Sequence, residues 1–142
     1  MTLSSKIWIV RPEDSRDNYG RKRMMKFEKI KNDIAKITNE GEPLLFGDLS
    51  SAMDLIGNAW GEGDCQKLIL MKGDIAEVFF DLKTKVAGEI IQKFINYNFR
   101  VAIVGDFSGY TSKSLNDFIR ESNKGGSLLF VDTVEDAVDK LS

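Results

Sequence analysis

The 142-residue chain contains no histidine. That removes the commonest general base near neutral pH and the commonest metal ligand. Ser-His-Asp and Cys-His catalytic arrangements are therefore excluded within the chain. There is one cysteine, Cys65, so no disulfide can form within the chain and a His/Cys zinc site has no ligand set. A lone thiol suits a reducing compartment, and a cytoplasmic location is expected. Because Cys65 precedes an apolar run, a buried structural thiol is expected rather than a reactive one. No excess of basic residues is present: 20 Lys and Arg stand against 22 Asp and Glu, a net charge of -2. Nucleic-acid binding, which needs a cationic surface to displace counterions, is not expected. No apolar run approaches the roughly 20 residues that span a bilayer, so no membrane partner is expected. The four-residue run Ile7–Val10 is also too short for the core of a signal peptide.

What remains is ordinary for a globular domain: 42% hydrophobic residues, in a chain long enough to bury a core without staples. Residues 1–24 read as an N-terminal extension. Ile7-Trp8-Ile9-Val10 has the composition of a strand. The following RPEDSRDNYGRKR is charged and aperiodic, which suits a linker. Residues 25–142 read as one α/β domain. Phe27, Ile30, Ile34 and Ile37 flank the turn signal Asn32-Asp33 and suggest an antiparallel hairpin, although the same spacing fits a helical stripe.

Beyond the hairpin, strands and helices alternate. Pro43–Gly47 is an extended approach. Asp48–Trp60 is a helix with Ala52, Met53, Ile56, Ala59 and Trp60 on one face, and Ser51 with Asp54 resembles a capping box. Lys67–Met71 is a strand of the type buried on both faces. A long helix from about Asp81 carries Leu82, Val86, Ile90 and Phe94 at i+4 steps. Gly88 inside it suggests close approach of helix to sheet. Arg100–Val104 is the most strand-like run. A helix follows from Ser112 or Ser114, with Leu115, Phe118 and Ile119 as its core face. Leu128–Val131 is the last strand, and Thr133 caps a terminal helix. This order predicts a mixed, mostly parallel sheet with an N-terminal hairpin and flanking helices.

Two clusters carry candidate chemistry. The turn Gly105–Ser114 (GDFSGYTSKS) links a strand to a helix, where open α/β sheets bind ligands. Asp106, Ser108, Ser112 and Lys113 there could hold an anion at a helix N-terminus, or they could simply cap the helix. The glycine-lysine-serine spacing is not that of a P-loop. Asp81, Lys83 and Thr84 precede the long helix. A lysine in a first turn opposes the helix dipole unless an anionic partner is near. Both helix starts follow strand ends, so the two clusters are expected at one edge of the sheet. Asp48, Asp74, Asp81, Asp106 and Asp132 approach strand ends and could converge on Mg²⁺. Acidic turn residues are common after strands for capping reasons alone, and no metal or other cofactor is expected.

The run FFDLKTKVAGEIIQKFINYN at Phe79–Asn98, joined to VAIVGDFSGYTSKSLNDFIRESNKG, resembles a bacterial family catalogued as domain of unknown function 4180, from about Met25 to Ser142. Members typically show FFDLKTGLAGEILQKF, then AIVGDFS, then SKSLRDFIYESN. Lys85-Val86 departs from the Gly-Leu usual there. The family name implies no activity. The element order also resembles the STAS/SpoIIAA-like fold, whose anti-anti-sigma members carry a phosphorylatable serine near a helix N-terminus. Asp81 and Thr84 hold a comparable place, without the characteristic Asp-Ser-x-Gly phrase. The resemblance implies a non-enzymatic regulatory or protein-interaction module, monomeric or homodimeric, with an unknown protein partner. The alternative is a domain binding a small anionic ligand or nucleotide through the strand-end turns. A hydrolase or transferase using Asp and Lys ranks third, for want of histidine and of any nucleophile motif.

Overall fold

Alternating burial along the hairpin strands, continuous burial along the later strands and a helical period between them set the architecture. In the computed structural model, residues 7–10, 23–31, 33–41, 43–45, 49–59, 65–81 and 84–142 are described. The side chains of 7–10, 23–24, 40–41, 78, 81 and 84–87 are not. Six strands form one sheet in chain order: β1 (Ile7–Val10), β2 (Arg23–Lys31), β3 (Ile34–Gly41), β4 (Lys67–Met71), β5 (Arg100–Val104) and β6 (Leu128–Val131). The first three pair antiparallel, and β3 through β6 pair parallel. The helices are α1 (Leu49–Asn58), α2 (Thr84–Asn96), α3 (Lys113–Gly125) and α4 (Val134–Leu141).

The expected hairpin is β2–β3, and its alternation settles the strand-or-helix ambiguity. Met25, Phe27, Ala35 and Ile37 are buried on one face. Ile30, beside the bulge that shifts register between Lys29 and Lys31, is 38% exposed, whereas a helical stripe would bury it with Phe27 and Ile34. The run Ile7–Val10 pairs with β2, Trp8 lying opposite Phe27 and Val10 opposite Met25.

The sheet has two unlike faces. Met25, Phe27, Ile37, Leu68, Leu70, Val101, Ile103, Leu128 and Phe130 share one core with residues from α1, α2 and α3. Parallel strands that advance in one direction through right-handed connections place all three helices on one face. The intervening residues Ile34, Ile69, Ala102, Val104, Leu129 and Val131 pack with Ala137 and Leu141 of α4 on the other. α4 lies mainly over β4 to β6 and reaches Ile34 at the start of β3. Over β2 and β3 that second face carries Lys26, Glu28, Lys36 and Thr38, none of them buried.

Local chemistry fixes the helix ends. α2 closes through Asn98, whose φ is 60°. Phe99 N–H donates to Phe94 O at 2.7 Å and Asn98 N–H to Ile95 O at 3.1 Å, the paired bonds of a Schellman cap. The wholly buried Phe94 and Phe99 make the apolar clasp that accompanies it. Gly126 ends α3 at φ 82°, its N–H donating to Ser122 O. Thr133 caps α4 by accepting from Asp136 N–H at 3.0 Å. At the free side of β6, Asn123 Oδ1 accepts Phe130 N–H at 2.7 Å, which satisfies an edge donor that could otherwise pair with another chain.

Two local readings are corrected. Gly88 is exposed and a Cβ there would meet nothing within 4 Å, so no close approach explains it. Ser51 is wholly buried inside α1, two residues past its first residue Leu49, and cannot be that helix's N-cap. Asp48 and Trp60 lie outside the described residues. Cys65 is buried, as a structural thiol should be. Among the described residues no helix is long and apolar enough to cross a membrane.

Candidate functional site

Strand register builds the site. Met71 ends β4 opposite Val104 at the end of β5, so the chain leaves both strands at the same carboxyl edge. After β4 it makes two 3-10 turns, Lys72–Asp74 and Glu77–Asp81, before α2. After β5 it makes the turn Gly105–Ser112 before α3. The two connections touch, which is why Gly105 is glycine: a Cβ there would lie 2.5 Å from Lys72 Cβ.

Lys72 and Tyr110 join the turns. Lys72 Nζ donates to Asp106 O at 2.8 Å and lies 4.7 Å from the Tyr110 ring centroid and 5.5 Å from that of Phe107, within cation–π range. The Tyr110 hydroxyl donates to Glu77 Oε1 at 2.6 Å, and its ring stacks on Phe80 at 5.1 Å. Phe107 meets Phe130 edge-on at 5.2 Å, tying the exposed turn to the core. Half-buried rings and one aliphatic ammonium therefore hold a hydroxyl-rich turn in place.

Each described candidate has a defined local role. Asp106 accepts from Ser108 N–H at 2.9 Å and from Ser108 Oγ at 2.6 Å, an Asx-type turn. These two bonds, with Lys72 nearby, hold its carboxyl below the usual aspartate range. Ser112 caps α3, its Oγ accepting Leu115 N–H at 3.3 Å. Asn116 Nδ2 reinforces the start of the helix by donating to Tyr110 O and Ser112 O, both at 3.0 Å. Lys113 is 89% exposed and pairs with Asp117 at 2.9 Å. That bond and one from Arg120 lower the Asp117 carboxyl. Asp81 ends the turn before α2 and Thr84 begins α2, so their backbone follows Phe80, which stacks on Tyr110. Their side chains, and Lys83 altogether, lie outside the described residues.

Of the five strand-end aspartates, Asp74 sits in the turn after β4, where burial raises its carboxyl against the opposing effects of Asn39 N–H and Lys36. Among the described residues no group of three His, Cys, Asp or Glu side chains is placed to hold a metal ion.

Sequence reasoning missed Lys72, Glu77, Phe80 and Tyr110 as members of this cluster. Lys72 and Tyr110 are distant in the chain, and only the β4–β5 register joins them. One signal was present: Phe107 and Tyr110 stand in an otherwise polar turn, and a merely solvated turn has no need of rings.

The fold and site define a class: a mixed α/β domain of successive strand–helix units with a braced turn at the carboxyl edge of its sheet. Residues 29–141 match the family described as Domain of unknown function (DUF4180), and the chain belongs to that family. No curated protein matches the sequence.

Proposed function

We propose that the protein is a non-enzymatic regulatory module of STAS-like type, which presents the turn Asp106–Lys113 as a preformed surface to a protein partner in the cytoplasm. The observation that carries this reading is the bracing of that turn by Lys72 and by the Tyr110–Glu77 bond. A loop already fixed loses little conformational entropy on binding. Ser108, Gly109, Thr111, Ser112 and Lys113 are all exposed on it. The polar groups around them are engaged locally: Asp106 by Ser108, Glu77 by Tyr110, Lys113 by Asp117. Such an arrangement suits recognition better than proton transfer, which needs an acid or base within reach of a reacting group. We assign Asp81, Lys83 and Thr84 to the same proposed surface, because the backbone of Asp81 follows Phe80, which stacks on Tyr110.

The second reading, a small anionic ligand at the start of α3, draws on the exposure of Lys113 beside the first turn of a capped helix. One experiment separates the two. The full chain and a Thr111→Arg/Lys113→Glu variant are immobilised and exposed to extract of the source organism. A protein retained by the wild type and lost by the equally stable variant supports the partner surface. The same proteins retained by both would exclude this edge. A melting shift with inorganic phosphate or ATP in the wild type, absent in Lys113→Glu, would establish the anion reading instead.

A further inference from the structure

The second face of the sheet is half covered. α4 starts at the carboxyl edge, after Val131, and ends near the opposite edge, where Leu141 packs with Ile34 and Lys31 Nζ donates to Ser142 Oγ at 3.3 Å. Among the described residues no helix packs over Lys26, Glu28, Lys36 and Thr38 on the rest of the hairpin, and none of the four is buried.

Charge is divided between the two halves. The helix exposes Glu135, Asp136 and Asp139 against the single base Lys140. The bare hairpin carries Lys26 and Lys36 against the single acid Glu28. On α3, by contrast, charges are paired within the helix: Lys113 and Arg120 with Asp117, and Lys124 with Glu121. Among the described residues the three acids of α4 make no ion pair, and neither does Lys26. Lys36 makes none either, and acts on Asp74 only through space. One half of the face is thus an acidic ridge and the other a basic ledge.

We propose that this face is the seam of a homodimer, in which α4 of each copy lies over the bare hairpin of the other. A two-fold axis running along the strands beside β3 does this for both copies at once. It turns the two faces together, keeps the strand direction and exchanges the covered half for the bare one. The same contact is then made twice, as a two-fold interface requires. An axis across the strands would instead set one acidic α4 on the other, where like charges repel. The spacing fits the first arrangement. Asp136 and Asp139 lie on the side of the helix away from the buried Ala137 and Leu141, about 4.5 Å apart along its axis. Lys26 pairs with Thr38, two residues beyond Lys36, so the lysines stand about 6.6 Å apart along the strands. Asp136 and Lys26 are the members nearer the carboxyl edge, so the partner's Asp136 meets Lys26 and the partner's Asp139 meets Lys36. The seam is separate from the Asp106–Lys113 turn and does not depend on the reading of that turn.

The test is sedimentation equilibrium of the full chain and of two charge-reversed variants, Lys26→Glu/Lys36→Glu and Asp136→Lys/Asp139→Lys. The wild type should be a dimer whose dissociation constant rises about 10-fold between about 0.05 and 0.5 M salt, as exposed charge pairs are screened. Each variant alone sets like charges together at both contacts, and should sediment as a monomer while melting within a few degrees of the wild type. An equimolar mixture of the two variants should regain the dimer, because the reversed helix then meets the reversed hairpin and the native helix meets the native hairpin. A wild type that stays monomeric at millimolar concentration overturns the seam, and would leave the hairpin face to a different protein. A dimer that survives either reversal overturns it too, since the contact would then lie elsewhere. So does a mixture that stays monomeric. If lysine at position 136 upsets the first turn of α4, Asp139→Lys and Lys36→Glu alone and mixed decide the question in the same way.

Discussion

The two faces of the sheet are built from the same alternating strands but carry different loads. On one, three helices and the inward residues of β2 to β6 form a continuous core. On the other, the eight-residue α4 lies over β4 to β6 and Ile34 at the start of β3, and the rest of the hairpin shows water its lysines and a threonine. The contrast follows from topology. Connections that advance in one direction deliver every crossover helix to the same side, and α4, which follows the edge strand β6 instead of joining two paired strands, lies against the other. The strands reflect this: β4 to β6 are apolar at every inner position, whereas β2 and β3 alternate apolar with polar residues.

The largest expected effects measure this asymmetry directly. Phe94 and Ile90 of α2 are wholly buried on the three-helix face. Phe94→Ala should cost about 3–5 kcal/mol and Ile90→Ala about 2–5 kcal/mol in urea unfolding. Leu141 of α4, equally buried against the other face of the sheet, should lose only about 2 kcal/mol on truncation to Ala, the low end of that range. The reason is that the final turn of a terminal helix can collapse onto the gap. Equal losses at Ile90 and Leu141 would show that the α4 face contributes as much as the main core. A loss at Ile90 below about 0.5 kcal/mol, the scale of surface changes, would contradict its burial.

The sheet's first edge sharpens the comparison next. A chain starting at Met25 lacks β1, which pairs on one side only. It should still unfold cooperatively and melt within a few degrees of the full chain. Loss of the cooperative transition would make β1 an integral part of the core opposite Met25 and Phe27.

Gly88 should give a smaller change of opposite sign. It lies on the solvent side of α2 with open space where a Cβ would stand. Gly88→Ala should therefore stabilise by about 0.5–1 kcal/mol. A destabilised variant would reveal a neighbour on that side of the helix.

The smallest effects carry the comparison to the carboxyl edge, where Asp74 and Asp106 should respond to pH with opposite signs. Asp106 is held below the usual range by Ser108. The folded state thus binds its proton less well, and its contribution is present above the ordinary carboxyl value and lost as pH falls through the lowered one. Burial raises Asp74. The folded state there favours the protonated form, so its contribution is present at low pH and lost as pH rises through the raised value. Urea titrations across the acid range should show Asp106→Asn falling below the wild type as pH rises, and Asp74→Asn gaining on it. Parallel curves would mean that neither environment discriminates charge.

The sequence by itself determined the elements. Burial on both faces was legible in the continuous apolar runs of β4 and β5. The hairpin was legible in Asn32-Asp33 between apolar positions, and the starts of α3 and α4 in Ser112 and Thr133. These are local matters, because backbone caps and side-chain periodicity act over a few residues. The stretch GDFSGYTSKS was likewise visible as a candidate site, and Ser112 could be read from it as a cap. What only the tertiary structure decided is who meets whom. The ring of Tyr110 lies over the ammonium of Lys72 because β4 and β5 pair with Met71 opposite Val104. Gly105 is small because Lys72 lies against it, and not because its turn demands glycine. Ser122 looks like an ordinary polar residue in an amphipathic helix, yet the fold buries it and leaves its hydroxyl without a partner. Hydrogen bonds between distant turns and the burial of a single hydroxyl depend on register and helix packing, which no local run of residues encodes.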